Sequence, residues 1–227
     1  MKTYDLILVD ADDTLFDFSR TERDAINGVF DTLPCDVPAA ELKERYHRIN
    51  KQLWKEVELG TMTTRVLRSE RFQRLFDELS LPFSGAEVGE KYIDLLKQGA
   101  WLLDGAEEFC RRANAAAPVI IVTNGIADVQ RARIDRSPIR KYLSGIVISE
   151  EVGAGKPDPR MFDAALRCVG RTDRSGAIMI GDSLTSDVLG GIQYGIDTCW
   201  VNLHGGPNTL GQEPTFTVRS VADISFL

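Results

Sequence analysis

Five short apolar runs constrain the fold of this chain more than anything else in it: LILV (6–9), VIIVT (119–123), GIVIS (145–149), AIMI (177–180) and CWVN (199–202). They are rich in Ile and Val and do not alternate with polar residues. Each therefore predicts a strand covered on both faces, the pattern of a parallel sheet. Helical segments separate the later runs, over 104–116, 159–169 and 185–194. The first opens at Asp104 and the second at Asp158 followed by Pro159, an N-cap acid and a first-turn proline. Strand, helix and strand in repetition predict an α/β fold, a doubly wound parallel sheet.

The stretch 17–100 carries no such strand. Ser19 to Glu22 (SRTE) has the form of a capping box, followed by Ala25, Ile26, Val29, Phe30 and Leu33 at helical spacing. A second helix opens at Pro38, keeps Leu42, Tyr46, Ile49, Leu53 and Val57 on one face, and closes at Gly60. A third runs from about Thr64 to Leu79, and a fourth from near Ser84 to Gly99. The expected organisation is an α/β core from 1–16 and 101–227, interrupted by an all-helical domain over 17–100. Inserted just after the first strand, that domain is placed to stand above the sheet's carboxyl edge as a lid. Open parallel sheets bind their ligands at that edge.

Of four motifs, DADDT, VTN and IGDS fall at that edge, and GAGKPDP lies in a rigid loop that leads into a helix. In DADDTLF (10–16), three carboxylates lie within four positions, which is costly unless a cation or a reaction needs them. Asp10 and Asp12 can address one point, one as a covalent nucleophile and the other as acid and base. A helix cap or surface turn accounts for an isolated DxD equally well. In VTNG (122–125), Thr123 and Asn124 can donate to phosphate oxygens, or simply mark a strand exit. In GAGKPDP (153–159), Lys156 is either a fixed cation or an exposed loop lysine. In IGDSLTSD (180–187), Asp182 and Asp187 suit a hard cation such as Mg²⁺, while Ser183, Thr185 or Asp187 could instead cap the next helix.

The order DADDT, VTN, GKPDP, GDSLTSD resembles the haloacid dehalogenase superfamily of hydrolases over essentially the whole chain. The resemblance implies a Rossmann-like core with a helical C1-type cap. It implies that Asp10 is the nucleophile and a Mg²⁺ ligand, and that Asp12 is the general acid/base and lends its backbone carbonyl to the metal. Thr123, Asn124 and Lys156 would hold phosphate, Asp182 would complete the metal ligands, and Asp187 would support the metal waters or pair with Lys156. The second acid, Asp12, points to a phosphate-monoester hydrolase rather than a dehalogenase, because halide needs no protonation. Asp13 stands where most relatives have Gly. It is expected to shape the turn in a left-handed backbone conformation rather than take part in chemistry.

Asp13 and the cap stretch 48–76 also resemble the noncanonical pyrimidine nucleotidase branch, 5′-nucleotidases that act on nucleoside monophosphates. The alternatives are a broad sugar-phosphate phosphatase or phosphomutase of the same fold, or a non-catalytic phosphate-binding regulator. Trp54 and Arg65 are cap candidates for substrate contact: Trp54 could stack on a base unless it packs in the core, and Arg65 begins a helix, where a cation opposes the dipole.

Of the 227 residues 43% are hydrophobic and 27% charged, and the formal net charge is -7. That balance argues against a nucleic-acid polymer as partner but not against a small phosphorylated metabolite. The four scattered cysteines, Cys35, Cys110, Cys168 and Cys199, form neither a disulfide framework nor a zinc site. No apolar run reaches the length of a membrane span, and the expected compartment is the cytoplasm. His47 and His204, the only histidines, are expected on the surface. The sequence does not set the oligomeric state.

Overall fold

The computed structural model describes residues 3–225. The chain divides into two compact units, one comprising the chain up to Phe18 and from Ala100 onward, the other Ser19–Gly99.

The first unit is built on a six-stranded, wholly parallel sheet with strands β1 (Leu6–Val9), β2 (Val119–Thr123), β3 (Gly145–Ile148), β4 (Ala177–Gly181), β5 (Asp197–Val201) and β6 (Phe216–Val218). Their spatial order is β3-β2-β1-β4-β5-β6. Every residue of β1, β2 and β4 is buried, so both faces are covered. Side chains alternate between two cores. Ile7, Val9, Ile121, Ile178 and Ile180 face Phe109 and Ala113. Leu6, Leu8, Ile120, Val122 and Met179 face Met161, Phe162 and Ala165. The strand order reverses between β1 and β4, and open sheets of this kind bind ligands at the carboxyl ends of the strands beside that reversal.

Nine α-helices are described. Four lie in or enter the second unit: α1 (Phe18–Phe30), α2 (Ala39–Glu58), α3 (Thr64–Glu78) and α4 (Gly85–Leu96). The core adds α5 (Ala106–Ala116), α6 (Ala127–Arg136), α7 (Ser149–Val152), α8 (Pro159–Cys168) and α9 (Leu189–Tyr194). Thr63 and Ser84 cap α3 and α4 through their hydroxyls, and Asp158 caps α8, accepting from Arg160 N–H. Two expected starts move. α1 begins at Phe18, so Ser19 lies within its first turn instead of capping it. α5 is capped by Gly105 at φ +79°, not by Asp104.

The second unit packs on aromatic rings. Tyr46 stacks on Phe72 at 5.5 Å between centroids, and Tyr92 meets Phe72 edge-on at 5.3 Å. Inside this cluster Arg71 is fully buried and lies 5.2 Å from the Tyr92 ring, with its Nε donating to Leu67 O.

Candidate active site

β1 brings Asp10 to the carboxyl edge of the sheet, where its N–H donates to Ile180 O at 2.8 Å. The chain then turns tightly. Ala11 O accepts from both Leu15 and Phe16 N–H at 2.9 Å, and Asp13 N–H donates to Phe16 O. Asp13 sits at φ +55°, the left-handed conformation expected of it. β2 ends at Thr123, which is buried at the strand's carboxyl end.

Asn124 does something the sequence reading did not foresee. Its Oδ1 accepts from Lys156 N–H at 2.7 Å and its Nδ2 donates to Lys156 O at 2.9 Å. The carboxamide thereby locks the Lys156 backbone in place through its oxygen and one of its two N–H groups.

Lys156 reaches the centre of the site. Its Nζ donates to Asp10 Oδ1 at 2.5 Å and to Val122 O at 2.6 Å, and pairs with Asp187 Oδ1 at 2.6 Å. Two of its three donors are used in hydrogen bonds, to Asp10 and Val122, and Asp187 faces it as an ion pair. Burial works against the ammonium, but Asp10 and Asp187 outweigh it and hold Lys156 above its ordinary range.

Asp182 and Asp187 follow β4. The sequence predicts one helix over 185–194, but the chain first makes a π-helical turn, Leu184–Val188, before α9. That turn folds Asp187 back over the strand end, where its Oδ2 accepts from Ser183 N–H at 3.1 Å. A Cβ on Gly181 would collide with this carboxylate, which is why a glycine closes β4. Trp200 Nε1 donates to Asp182 O at 2.8 Å and pins the start of the turn.

Asp10, Asp182 and Asp187 each offer a carboxylate oxygen within 4.8 Å of the other two. Burial, then the charges of Asp187 and Asp182, push the Asp10 carboxyl well above its usual range despite Lys156. Burial and Asp187 push Asp182 up to about 7. Ionised together, three carboxylates against one ammonium would leave two negative charges uncompensated, which is why Asp10 and Asp182 resist ionisation. A hard dication with oxygen ligands fits that deficit.

Asp12 belongs to a second arrangement. Arg133 Nη1 donates to its Oδ1 at 2.6 Å and Gln130 Nε2 to its Oδ2 at 2.5 Å, both from α6. The sequence reading missed these two residues. No helix was expected between β2 and β3, because the buried face of α6 holds Gln130 and Arg133 beside Val129 and Ile134 and so shows no apolar stripe.

The remaining candidates lie in the helical unit. Trp54 is half-buried on α2 and Arg65 is exposed in the first turn of α3. His47 and His204 are exposed.

A model of the haloacid dehalogenase-like hydrolases matches residues 4–195. Pyrimidine 5′-nucleotidase YjjG of Escherichia coli (strain K12) is 34% identical over 224 residues, 99% of this chain and 97% of that one. Pyrimidine 5′-nucleotidase PynA of Streptococcus pneumoniae is 32% identical, over 97% of this chain and 93% of its own. The magnesium-bound crystal structure of the HAD-hydrolase YfnB from Bacillus subtilis superposes with a TM-score of 0.87 at 32% identity, covering 96% of each chain.

Proposed function

The chain belongs to the haloacid dehalogenase-like hydrolases, and we propose that it removes phosphate from pyrimidine nucleoside monophosphates through an aspartyl-phosphate on Asp10. One observation carries the chemistry: a buried carboxylate at a strand end, bonded by a buried lysine, with a second carboxylate two residues on. The substrate class follows the two relatives named as pyrimidine 5′-nucleotidases.

In this reading the Asp10 carboxylate attacks phosphorus and the P–O bond to the nucleoside breaks. Asp12 delivers its proton to the departing oxygen. The Asp12 carboxylate then takes a proton from water as that water attacks phosphorus, releasing inorganic phosphate and restoring Asp10. Lys156 and the Thr123 hydroxyl hold the non-bridging oxygens. Asn124 serves indirectly, by fixing the Lys156 backbone. Asp10 and Asp182, with the Asp12 carbonyl, would hold Mg²⁺, and Asp187 would orient Lys156 beside them. The ion supplies charge neutralisation for the phosphoryl group. Trp54 and Arg65 are proposed as substrate contacts from the helical domain, residues 17–100, which acts as the cap of the core formed by 1–16 and 101–227. The proposed setting is the cytoplasm. Among the described residues no helix is long and apolar enough to cross a membrane.

The test is a panel of ribo- and deoxyribonucleoside monophosphates against hexose and triose phosphates, each with and without Mg²⁺. Pyrimidine nucleotides should show the highest kcat/KM. Preference for a sugar phosphate would replace this substrate assignment, and full turnover by Asp10→Asn would remove the covalent mechanism.

A further inference from the structure

We infer that Gln130 and Arg133 are positioning residues that hold the Asp12 carboxyl in line for proton transfer to the leaving oxygen. This rests on the reading of Asp12 as the acid and base. The two side chains sit at i and i+3 on α6 and so project from one face. Each takes a different oxygen of Asp12, Arg133 the Oδ1 and Gln130 the Oδ2. The two are themselves joined, Arg133 Nη1 to Gln130 Oε1 at 3.4 Å.

The clamp is rigid for identifiable reasons. The Arg133 side chain is 0% exposed, against 25% for Asp12. Its guanidinium lies 4.9 Å from the Phe16 ring centroid and 5.3 Å from that of Phe18. Phe16 ends the same turn that carries Asp12, so one guanidinium grips both the carboxylate and the turn. Gln130 is 2% exposed and lies over Gly125. A Cβ at Gly125 would collide with the Gln130 amide, so the glycine after Asn124 makes room for the clamp.

The geometry suits a group that gains and loses a proton in one place. A carboxylate has about four acceptor sites, two on each oxygen. Arg133 occupies one on Oδ1 and Gln130 one on Oδ2. Each oxygen keeps a site for the proton that moves, while two fixed donors set the plane of the carboxyl group. A merely structural ion pair would need one of these bonds and would not need both oxygens fixed.

The leaving group distinguishes positioning from scaffolding. The ratio kcat/KM reports steps up to departure of the alcohol, before the aspartyl-phosphate is hydrolysed. An ill-placed acid therefore harms esters of poor leaving groups most. Arg133→Met and Gln130→Met should each lower kcat/KM for an alkyl phosphate by about 100-fold, in the range that general acid catalysis contributes. For 4-nitrophenyl phosphate, whose leaving group needs little protonation, the loss should stay under about tenfold. In an Asp12→Asn background neither substitution should cost more. Arg133→Lys should recover part of the alkyl-ester rate. Gln130→Met carries the test if Arg133→Met fails to fold. A loss that is equal across the ester series, or absent, with Asp12→Asn still crippled, overturns the clamp alone. Full activity of Asp12→Asn overturns the parent reading of Asp12.

Discussion

Lys156 Nζ and Asp187 Oδ1 lie 2.6 Å apart, with both side chains only 1% exposed. A pair this deep carries a large desolvation cost, which only its mutual attraction and the bonds to Asp10 and Val122 offset. Breaking it from one side leaves an ammonium facing one acid where it had two. Asp187→Ala should lower kcat as Lys156 shifts and destabilise the protein by less than the about 3–5 kcal/mol of a pair broken to leave its partner uncompensated, because Asp10 still faces the ammonium. Gly181→Ala should reproduce part of that loss, because the new methyl displaces the same carboxylate. Denaturant titration and steady-state kinetics on both variants check this. A wild-type midpoint in either would mean that the pair contributes little.

The acidic cluster predicts the response to metal. Without metal, the mutual repulsion of the acids holds the Asp10 and Asp182 carboxyls up, and a bound dication relieves it. Mg²⁺ at 100 times its Kd should stabilise the wild type by about 2.7 kcal/mol, seen as a rise in Tm. Asp182→Asn should lose most of that rise, and EDTA should abolish turnover. An equal Mg²⁺-dependent shift in Asp182→Asn would place the ion elsewhere.

The thiols should sort by burial. Burial pushes both Cys110, together with the Glu107 charge, and Cys199 up to about 12. The thiolate is the reactive form and is present only as pH approaches that value, so at pH 8 both stay protonated as well as enclosed. Cys168 is exposed and Cys35 half-buried. Iodoacetamide on the native protein should label Cys168 and Cys35 and spare Cys110 and Cys199 until denaturant is added, as peptide mass spectrometry would show.

What could be read from the sequence depended on how much apolar surface each element buries. The wholly buried strands β1, β2 and β4 announced themselves through unbroken Ile, Val and Leu. The edge strand β6 is three residues long and partly exposed, so it had no such signal. Asp10, Asp12, Lys156 and Asp182 stand out in the sequence as candidates because each lies beside a strand end or a Gly/Pro-marked loop. Gln130 and Arg133 could not. Their partner, Asp12, is more than a hundred positions away, and a buried glutamine and arginine look in sequence like any solvated pair. The π-helical turn was equally silent, because the extra residue that swings Asp187 over Gly181 leaves a helix-like pattern intact.

Two effects compete at Gly89 on α4. Replacing a mid-helix glycine by alanine ordinarily stabilises by about 1 kcal/mol. Here the new Cβ would lie 2.5 Å from Arg68 O, a backbone atom of α3 that cannot turn aside. Gly85 makes a similar approach to Gln73 N, also at 2.5 Å, so the two helices meet at two glycines. Overpacking typically costs about 1–3 kcal/mol, and with backbone as the obstacle the upper end applies. Gly89→Ala should therefore be net destabilising, with a lower Tm. A Tm above wild type would show that α3 and α4 can separate freely.

Asp13 can be separated from its two neighbours by the same arithmetic. At φ +55° an ordinary L-residue carries about 1–2 kcal/mol of strain, which Asp13→Gly would remove. Glycine returns about 0.5–1 kcal/mol of that as extra freedom in the unfolded chain. The stability change should therefore be small. Activity should persist too, because Asp13 contributes a charge near Asp182 but no hydrogen bond of the clamp. Asp13→Val should be the harmful substitution, since a β-branched residue tolerates this conformation least. The measurement is kcat and Tm for both variants beside Asp10→Asn. A loss in Asp13→Gly as complete as that of Asp10→Asn would move Asp13 from the turn into the chemistry.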